Sequence, residues 1–134
     1  MRTNYTISLD RIISEFSLEI LNLPQGAENN KISSTEVNRP GLQMAGYFEF
    51  FDKTRIQIIG KSEESFLKRF TVEKAELRLR ELFSRKPAAV IICRNMEVSD
   101  LYRKIAEEYE VPLFRTAVST SEFEAALIAY LNLH

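Results

Sequence analysis

The chain has 134 residues, which is room for one compact domain and little more, so a single domain over residues 1–134 is expected. Apolar residues at 45% and charged residues at 28% match an ordinary globular protein and exclude a disordered tail, a collagen-like fibre and a disulfide scaffold. Eighteen Lys and Arg against nineteen Asp and Glu leave a formal net charge of −1, so no global positive field exists to attract nucleic acid or an anionic membrane.

Ser8 precedes Leu9, Ile12, Ile13 and Phe16, a capped start with apolar residues at helical spacing, and predicts a short first helix. Two short apolar pieces, Leu18 to Leu21 and Lys31 to Ser33, flank a loop rich in Pro, Gly and Asn and read as short strands. Pro40 suits the opening of a helical turn and Gly46 its left-handed close, which would turn Leu42 and Ala45 inward. Arg55 to Ile59 is β-branched and stops at Gly60, so a strand is predicted there, leading into a helix from Glu63 to Phe70. Thr71 caps the next helix, whose Val72, Ala75, Leu79, Leu82 and Phe83 fall on one face.

The last third alternates strand and helix. Pro87 to Cys93 is a continuous apolar run, as expected of a strand covered on both faces. Ser99 caps a helix with an inward stripe of Leu101, Tyr102, Ile105, Ala106 and Tyr109, and Val111 to Phe114 starts another buried strand. Ser119 and Glu122 form a capping box before Phe123, Ala126, Leu127, Tyr130 and Leu131. Such alternation predicts an α/β layer fold with at least one parallel strand pair and a right-handed crossover.

Cys93 is the only thiol and His134, the last residue, the only imidazole. No intramolecular disulfide is possible, and neither a zinc site of Cys and His ligands nor a His-dependent nucleophile has its residues. The first residues, Met1 to Thr6, lack the apolar core of a secretory signal, and no window approaches the roughly 18 apolar residues of a membrane span, so a cytoplasmic protein is expected.

Gly60-Lys61-Ser62 sits between strand and helix, like the end of a phosphate-cradling loop, but the glycine required five positions upstream is Arg55, and Glu63 and Glu64 follow. A tight strand-to-helix turn fits better. Cys93 lies in the most apolar run and reads as core. Tyr47 to Phe51 is aromatic-dense without basic neighbours, which suits a core corner or a subunit contact more than base stacking. The alternating charges from Glu73 to Arg80 suit a solvated helix face, and Glu107, Glu108 and Glu110 point too far apart to share one bond. Arg39, Arg94 and Arg115 stand at loop junctions beside strand ends; they are either solvated charges or, if the fold brings them together, a pocket for an anion.

The ordered combination Asn38-Arg39-Pro40-Gly41-Leu42-Gln43-Met44-Ala45-Gly46-Tyr47-Phe48, Arg55 to Glu63, Phe66-Leu67, Ile91 to Arg94, Val111 to Arg115 and Ser119 to Ser121 resembles the N-terminal domain of bacterial HPr kinase/phosphorylase, from about Thr6 to Leu131. The resemblance implies a three-layer α/β/α domain with a mixed, partly parallel sheet, similar to the N-terminal domains of murein peptide ligases, where that domain holds a uridine nucleotide. It also implies a parent enzyme that phosphorylates a serine of HPr with ATP or pyrophosphate and magnesium, reverses the reaction by phosphorolysis, and controls carbon catabolite repression.

In that family the chemistry belongs to a C-terminal catalytic domain, so no catalytic residue, metal ligand or cofactor is carried over to this chain, which is expected to be inactive alone. Its implied partners are that catalytic domain, sister subunits of a hexamer and, through the parent, HPr. The implied role is accessory or regulatory; the alternative is a module binding a small anion, a nucleotide or sugar phosphate, at Arg39, Arg94 and Arg115.

Overall fold

The computed structural model describes residues 6–133. The opening residues up to Tyr5, and His134 with its lone imidazole, lie outside the described residues.

Five strands form the central sheet in the order β2-β7-β6-β5-β4: β2 is Glu19–Asn22, β4 Val37–Asn38, β5 Ile56–Ile59, β6 Ala89–Ile92 and β7 Leu113–Arg115. The pairs β4/β5, β5/β6 and β6/β7 are parallel, and β2 closes one edge antiparallel to β7 with a register shift between Ile20 and Asn22. A separate pair, β1 (Ile7–Ser8) and β3 (Lys31–Ile32), is antiparallel.

The strands β4 to β7 follow one another in space as in sequence, so right-handed crossovers put every intervening helix on the same face. Those helices are α2 (Gly41–Met44), α3 (Lys61–Leu67), α4 (Val72–Ser84) and α5 (Asp100–Tyr109). Met44, Leu67, Leu79, Leu82, Phe83, Tyr102 and Ile105 pack there on Ile59, Val90, Ile92 and Leu113. The opposite face is covered by α1 (Leu9–Glu15) and α6 (Thr120–Leu133), whose Ile12, Phe123, Leu127 and Leu131 meet Ile56, Ile58, Ile91, Cys93 and Phe114. The result is a three-layer α/β/α fold. Successive residues of β5 and β6 serve opposite layers and all are buried, which explains why β6 reads as an unbroken apolar run and why β5 is apolar except at Gln57. Each fully buried isoleucine among them contributes about 1.5–3 kcal/mol.

Several predicted details shift. Leu42 is exposed together with Ala45, while Gln43 and Met44 face inward. A one-turn helix has a single inward pair, and here it is set by Gln43, which accepts a hydrogen bond from Asn38 at 3.0 Å, and by Met44 in the core. Asn38 also donates to the buried Gln57 at 2.6 Å, so a polar network ties α2 to β5. The helix predicted from Glu63 to Phe70 begins at Lys61, because the side chain of Glu63 caps the chain from inside its first turn, and it ends at Leu67. Val72 is 75% exposed, being the first residue of α4, where the chain has not yet reached the core. Ala126 is exposed as well, on the outer side of α6.

Other readings hold. Gly46 closes α2 at φ 98°, a conformation that favours glycine; an added Cβ would also lie 2.9 Å from the Arg78 guanidinium, the movable end of a flexible side chain. Thr71 Oγ1 accepts from the Lys74 N–H at 3.2 Å as the cap of α4. Glu108 pairs with Arg80 and Glu110 with Lys86 at the surface.

Candidate functional site

Open α/β sheets gather their ligands at the carboxyl ends of the parallel strands, most often where strand order reverses. Here β4 to β7 run in one order without reversal, so the edge offers no crevice between diverging crossovers. What stands there is set by the residue after each strand: Arg39 after β4, Gly60 after β5, Cys93 and Arg94 after β6, and Thr116 after β7.

On the α6 side the edge is closed by its own groups. A single carboxylate oxygen of the buried Glu63 accepts from the Gly60 N–H at 2.6 Å and from Arg39 Nη2 and Nε at 2.9 and 3.1 Å. Arg39 reaches Glu124 of α6 at 3.4 Å as well. Burial works against the charged guanidinium, but Glu63 and Glu124 outweigh it and hold Arg39 more firmly protonated than a free arginine. Gly60 packs so tightly on Thr120 that an added Cβ would lie 2.5 Å from its hydroxyl oxygen. Cys93 is fully buried beside them, and burial pushes its thiol up to about 11, against the lowering pull of Arg39. It is a core thiol, not a nucleophile.

The three arginines singled out in the sequence do not meet. Arg39 is turned toward α6. Arg115 follows Phe114 in β7 and so points to the opposite face, where it donates to Glu19 at 2.9 and 3.1 Å and to the Met96 carbonyl at 3.1 Å. That hydrogen-bonded pair raises Arg115 and lowers Glu19 from their ordinary values. The ends of β4 and β7 are also three strand spacings apart, about 14 Å. Arg94 stands between them, exposed, in a left-handed turn with Asn95 at φ 64° and 50°. The turn is held by the Arg94 and Asn95 N–H groups donating to Val118 and Thr116 carbonyls at 3.0 and 2.9 Å. Its guanidinium has no ion-pair partner among the described residues.

The residues at Gly60-Lys61-Ser62 do not fit ATP or pyrophosphate with magnesium. The Gly60 N–H is taken by Glu63, and two glutamates occupy the first turn of α3, where phosphate would need bare N–H groups. Among the described residues no group of three or more His, Cys, Asp or Glu could hold a metal ion.

On the α4/α5 side the edge is open. A cleft of about 270 Å³ lies between the end of α3, the start of α4 and the start of α5. The sequence reading passed it over, because Glu64 and Tyr102 are 38 residues apart. One signal was available: a tyrosine in an apolar stripe needs a partner for its hydroxyl. Tyr102 finds Glu64 Oε2 at 2.8 Å, and burial followed by the Glu64 charge raises its phenol well above the ordinary value.

The architecture defines an α/β/α domain of mixed sheet. The family described as HPr Serine kinase N terminus matches residues 7–131, and the chain belongs to that family. An HPr kinase/phosphorylase of Caldicellulosiruptor bescii is 39% identical over 125 residues, 93% of this chain and 40% of that protein. One of Lachnoclostridium phytofermentans is 33% identical over 129 residues, 96% of this chain and 42% of that protein. The chain thus spans about two fifths of the length of these relatives. Among solved structures it is similar to the CBS and DRTGG domains of the regulatory region of a Clostridium perfringens pyrophosphatase complexed with diadenosine tetraphosphate. The TM-score is 0.64 at 20% identity, over 92% of this chain and 46% of that one, a likeness of fold. No helix among the described residues is long and apolar enough to cross a membrane.

Proposed function

We propose that this chain is the non-catalytic accessory region of an HPr kinase/phosphorylase. It packs beside the catalytic domain in a homo-oligomer, the hexamer the family resemblance implies, and tunes the parent's action on HPr in carbon catabolite repression in the cytoplasm. The observation that carries this reading is the family match over residues 7–131 together with the closed Glu63–Gly60 turn, which leaves the one phosphate-loop-like stretch unable to cradle a phosphate. The ATP or pyrophosphate and magnesium of the parent are therefore assigned to the remainder of the relatives' length.

Incubating the pure chain with HPr, magnesium and ATP is expected to give no phosphoserine; phosphoserine above a no-protein control would overturn the reading. The regulatory half is tested in the full-length Caldicellulosiruptor bescii protein. Deleting the region that matches this chain is expected to change its assembly or the response of its kinase to metabolites. Unchanged assembly and response would remove that role.

A second reading, a small anion at Arg39, Arg94 and Arg115, is favoured at Arg94 alone, whose guanidinium is exposed and has no ion pair among the described residues. Titration with a uridine diphosphate should then show weak binding that Arg94→Gln abolishes and that Arg115→Gln leaves in place.

A further inference from the structure

The cleft between α3, α4 and α5 is walled by Leu67, Phe70, Ala75 and Leu101, with Val72 exposed at its rim. Into this apolar setting the fold places one fixed charge. Glu64 is half-buried, and its Oε2 is held at 2.8 Å by the hydroxyl of the buried Tyr102. A carboxylate anchored through one oxygen keeps its other oxygen free to accept, and no hydrogen bond or ion pair to that second oxygen forms among the described residues. Lys68, one helical turn after Glu64 and just past the end of α3, also lines the cleft; it is exposed and makes no ion pair with Glu64 among the described residues. Ser99 also lines the cleft; it stands at the cap of α5 without a capping side-chain bond, so its hydroxyl is uncommitted.

Hydrocarbon walls, one oriented carboxylate and an idle hydroxyl together complement a cation carried on an apolar body; the Lys68 ammonium, exposed and unanchored, stays in water, so the fixed Glu64 charge sets the preference for a cation over an anion of the same shape. Room follows from volume: about 270 Å³, at roughly 30 Å³ per water-sized group, admits about nine non-hydrogen atoms. The neighbouring glutamate cannot serve this purpose, because Glu63 is already engaged by Gly60 and Arg39.

We propose that this cleft is a binding site for a small organic cation, a protonated amine on a hydrocarbon or aromatic body, with Glu64 taking the amine and Tyr102 acting as the positioning residue for Glu64. The inference does not depend on the family-level reading of function, since it uses only the cleft and its lining groups. A site of this size with one charge-assisted contact has an affinity of about millimolar.

The test is an NMR titration of the ¹⁵N-labelled chain with three probes of similar size and shape: 2-phenylethylamine, 2-phenylethanol and phenylacetate, at constant ionic strength. The amine is expected to shift amides of Leu67 to Val72 and Ser99 to Tyr102 saturably and to bind at least about tenfold more tightly than the alcohol, with the acid not binding. Glu64→Gln should bring the amine down to the affinity of the alcohol while leaving the alcohol unchanged. Tyr102→Phe, which keeps the cleft volume, should weaken the amine severalfold and spare the alcohol. If the amine binds no more tightly than the alcohol in the unaltered chain, if its shifts map elsewhere, or if a folded Glu64→Gln retains the preference, the proposal is wrong. The comparison of probes on the unaltered chain decides the matter even if a variant fails to fold.

Discussion

Glu63 and Glu64 are adjacent in sequence and opposite in circumstance. Glu63 points to the α6 side of the sheet edge, is buried, and spends one oxygen on the Gly60 N–H and on Arg39. Glu64 points to the α4/α5 side, keeps one oxygen on Tyr102 and leaves the other beside an apolar cleft. The difference teaches how to separate architecture from capacity at one edge. A charge whose neighbours already satisfy it holds the fold together, whereas a charge fixed in place and only partly satisfied is available to something else. Arg39 and Arg115 belong to the first kind and Arg94 to neither, being exposed and without an ion pair among the described residues.

The sharpest way to break this contrast is to crowd the closed side. In Gly60→Ala the new Cβ would meet Thr120 Oγ1, Cγ2 and Cβ at 2.5, 2.7 and 3.0 Å, so the start of α6 must move. The strain is steric, since Gly60 has φ −116° and needs no left-handed freedom. A loss of about 3 kcal/mol in urea unfolding is expected. Adding Thr120→Ala removes the two closest contacts and should return about 1–2 kcal/mol of it; if the double variant is no better than the single one, α6 is not what the methyl group strikes.

Next in size is the difference between the two glutamates. Glu63→Ala strands the Gly60 N–H and removes the main partner of Arg39, and should cost about 2 kcal/mol. Glu64→Gln, on a half-buried site that keeps an acceptor for Tyr102, should stay within about 1 kcal/mol. Equal losses at the two positions would erase the distinction between a structural and an available carboxylate.

How much of this was legible in the sequence depends on range. Local signals carried well: the β-branched run at Ile56 to Ile59, the left-handed Gly46 and the Thr71 cap each act within a few residues and fall where expected. Orientation of a single turn did not carry, because Leu42 and Gln43 compete for the inward position and Asn38 decides it, itself held by Gln57 19 residues away. Sites failed for the same reason. The Arg39–Glu63 pair spans 24 residues and the Tyr102–Glu64 bond 38, and nothing in spacing along the chain announces either. The arginines looked equivalent as loop-junction charges, yet alternation along β7 turns Arg115 to the face opposite Phe114 and the width of the sheet holds the ends of β4 and β7 apart.

The closed side also makes a prediction about pH. Cys93 has its pKa raised to about 11 from an ordinary 9.0, first of all by burial. A group whose folded pKa is the higher one gives its full stabilisation below the unfolded value and loses it as pH climbs through the window between the two. Stability should therefore hold to about pH 9 and then fall by up to about 1.4 kcal/mol per pH unit toward pH 11. Tyr102, also raised, adds to the fall above pH 10. Urea unfolding at pH 8 and pH 10.5 should show a drop of about 2 kcal/mol that Cys93→Ala reduces and does not remove. A disulfide reagent at pH 8 should react only as fast as the domain opens.

The smallest expected effect lies at the other edge of the sheet, where the chain enters β5. Phe48 and Phe51 pack edge to face at 5.8 Å, and Arg85 sits 3.9 Å over the Phe48 ring, so the loop between α2 and β5 has an anchored base. Phe50, between those anchors, is 91% exposed and held at φ 65°, a left-handed conformation that is unfavourable for a bulky side chain. It thus carries conformational strain and receives no burial in return. Phe50→Asn keeps a residue tolerant of that backbone and removes the exposed ring, and should raise stability by about 0.5–1 kcal/mol. Phe50→Ala separates the two contributions: alanine has the same left-handed penalty, so it should leave stability near that of the parent chain. If asparagine and alanine behave alike, the backbone at Phe50 is not strained in solution, and the exposed ring alone distinguishes this edge from the well-satisfied one beside Glu63.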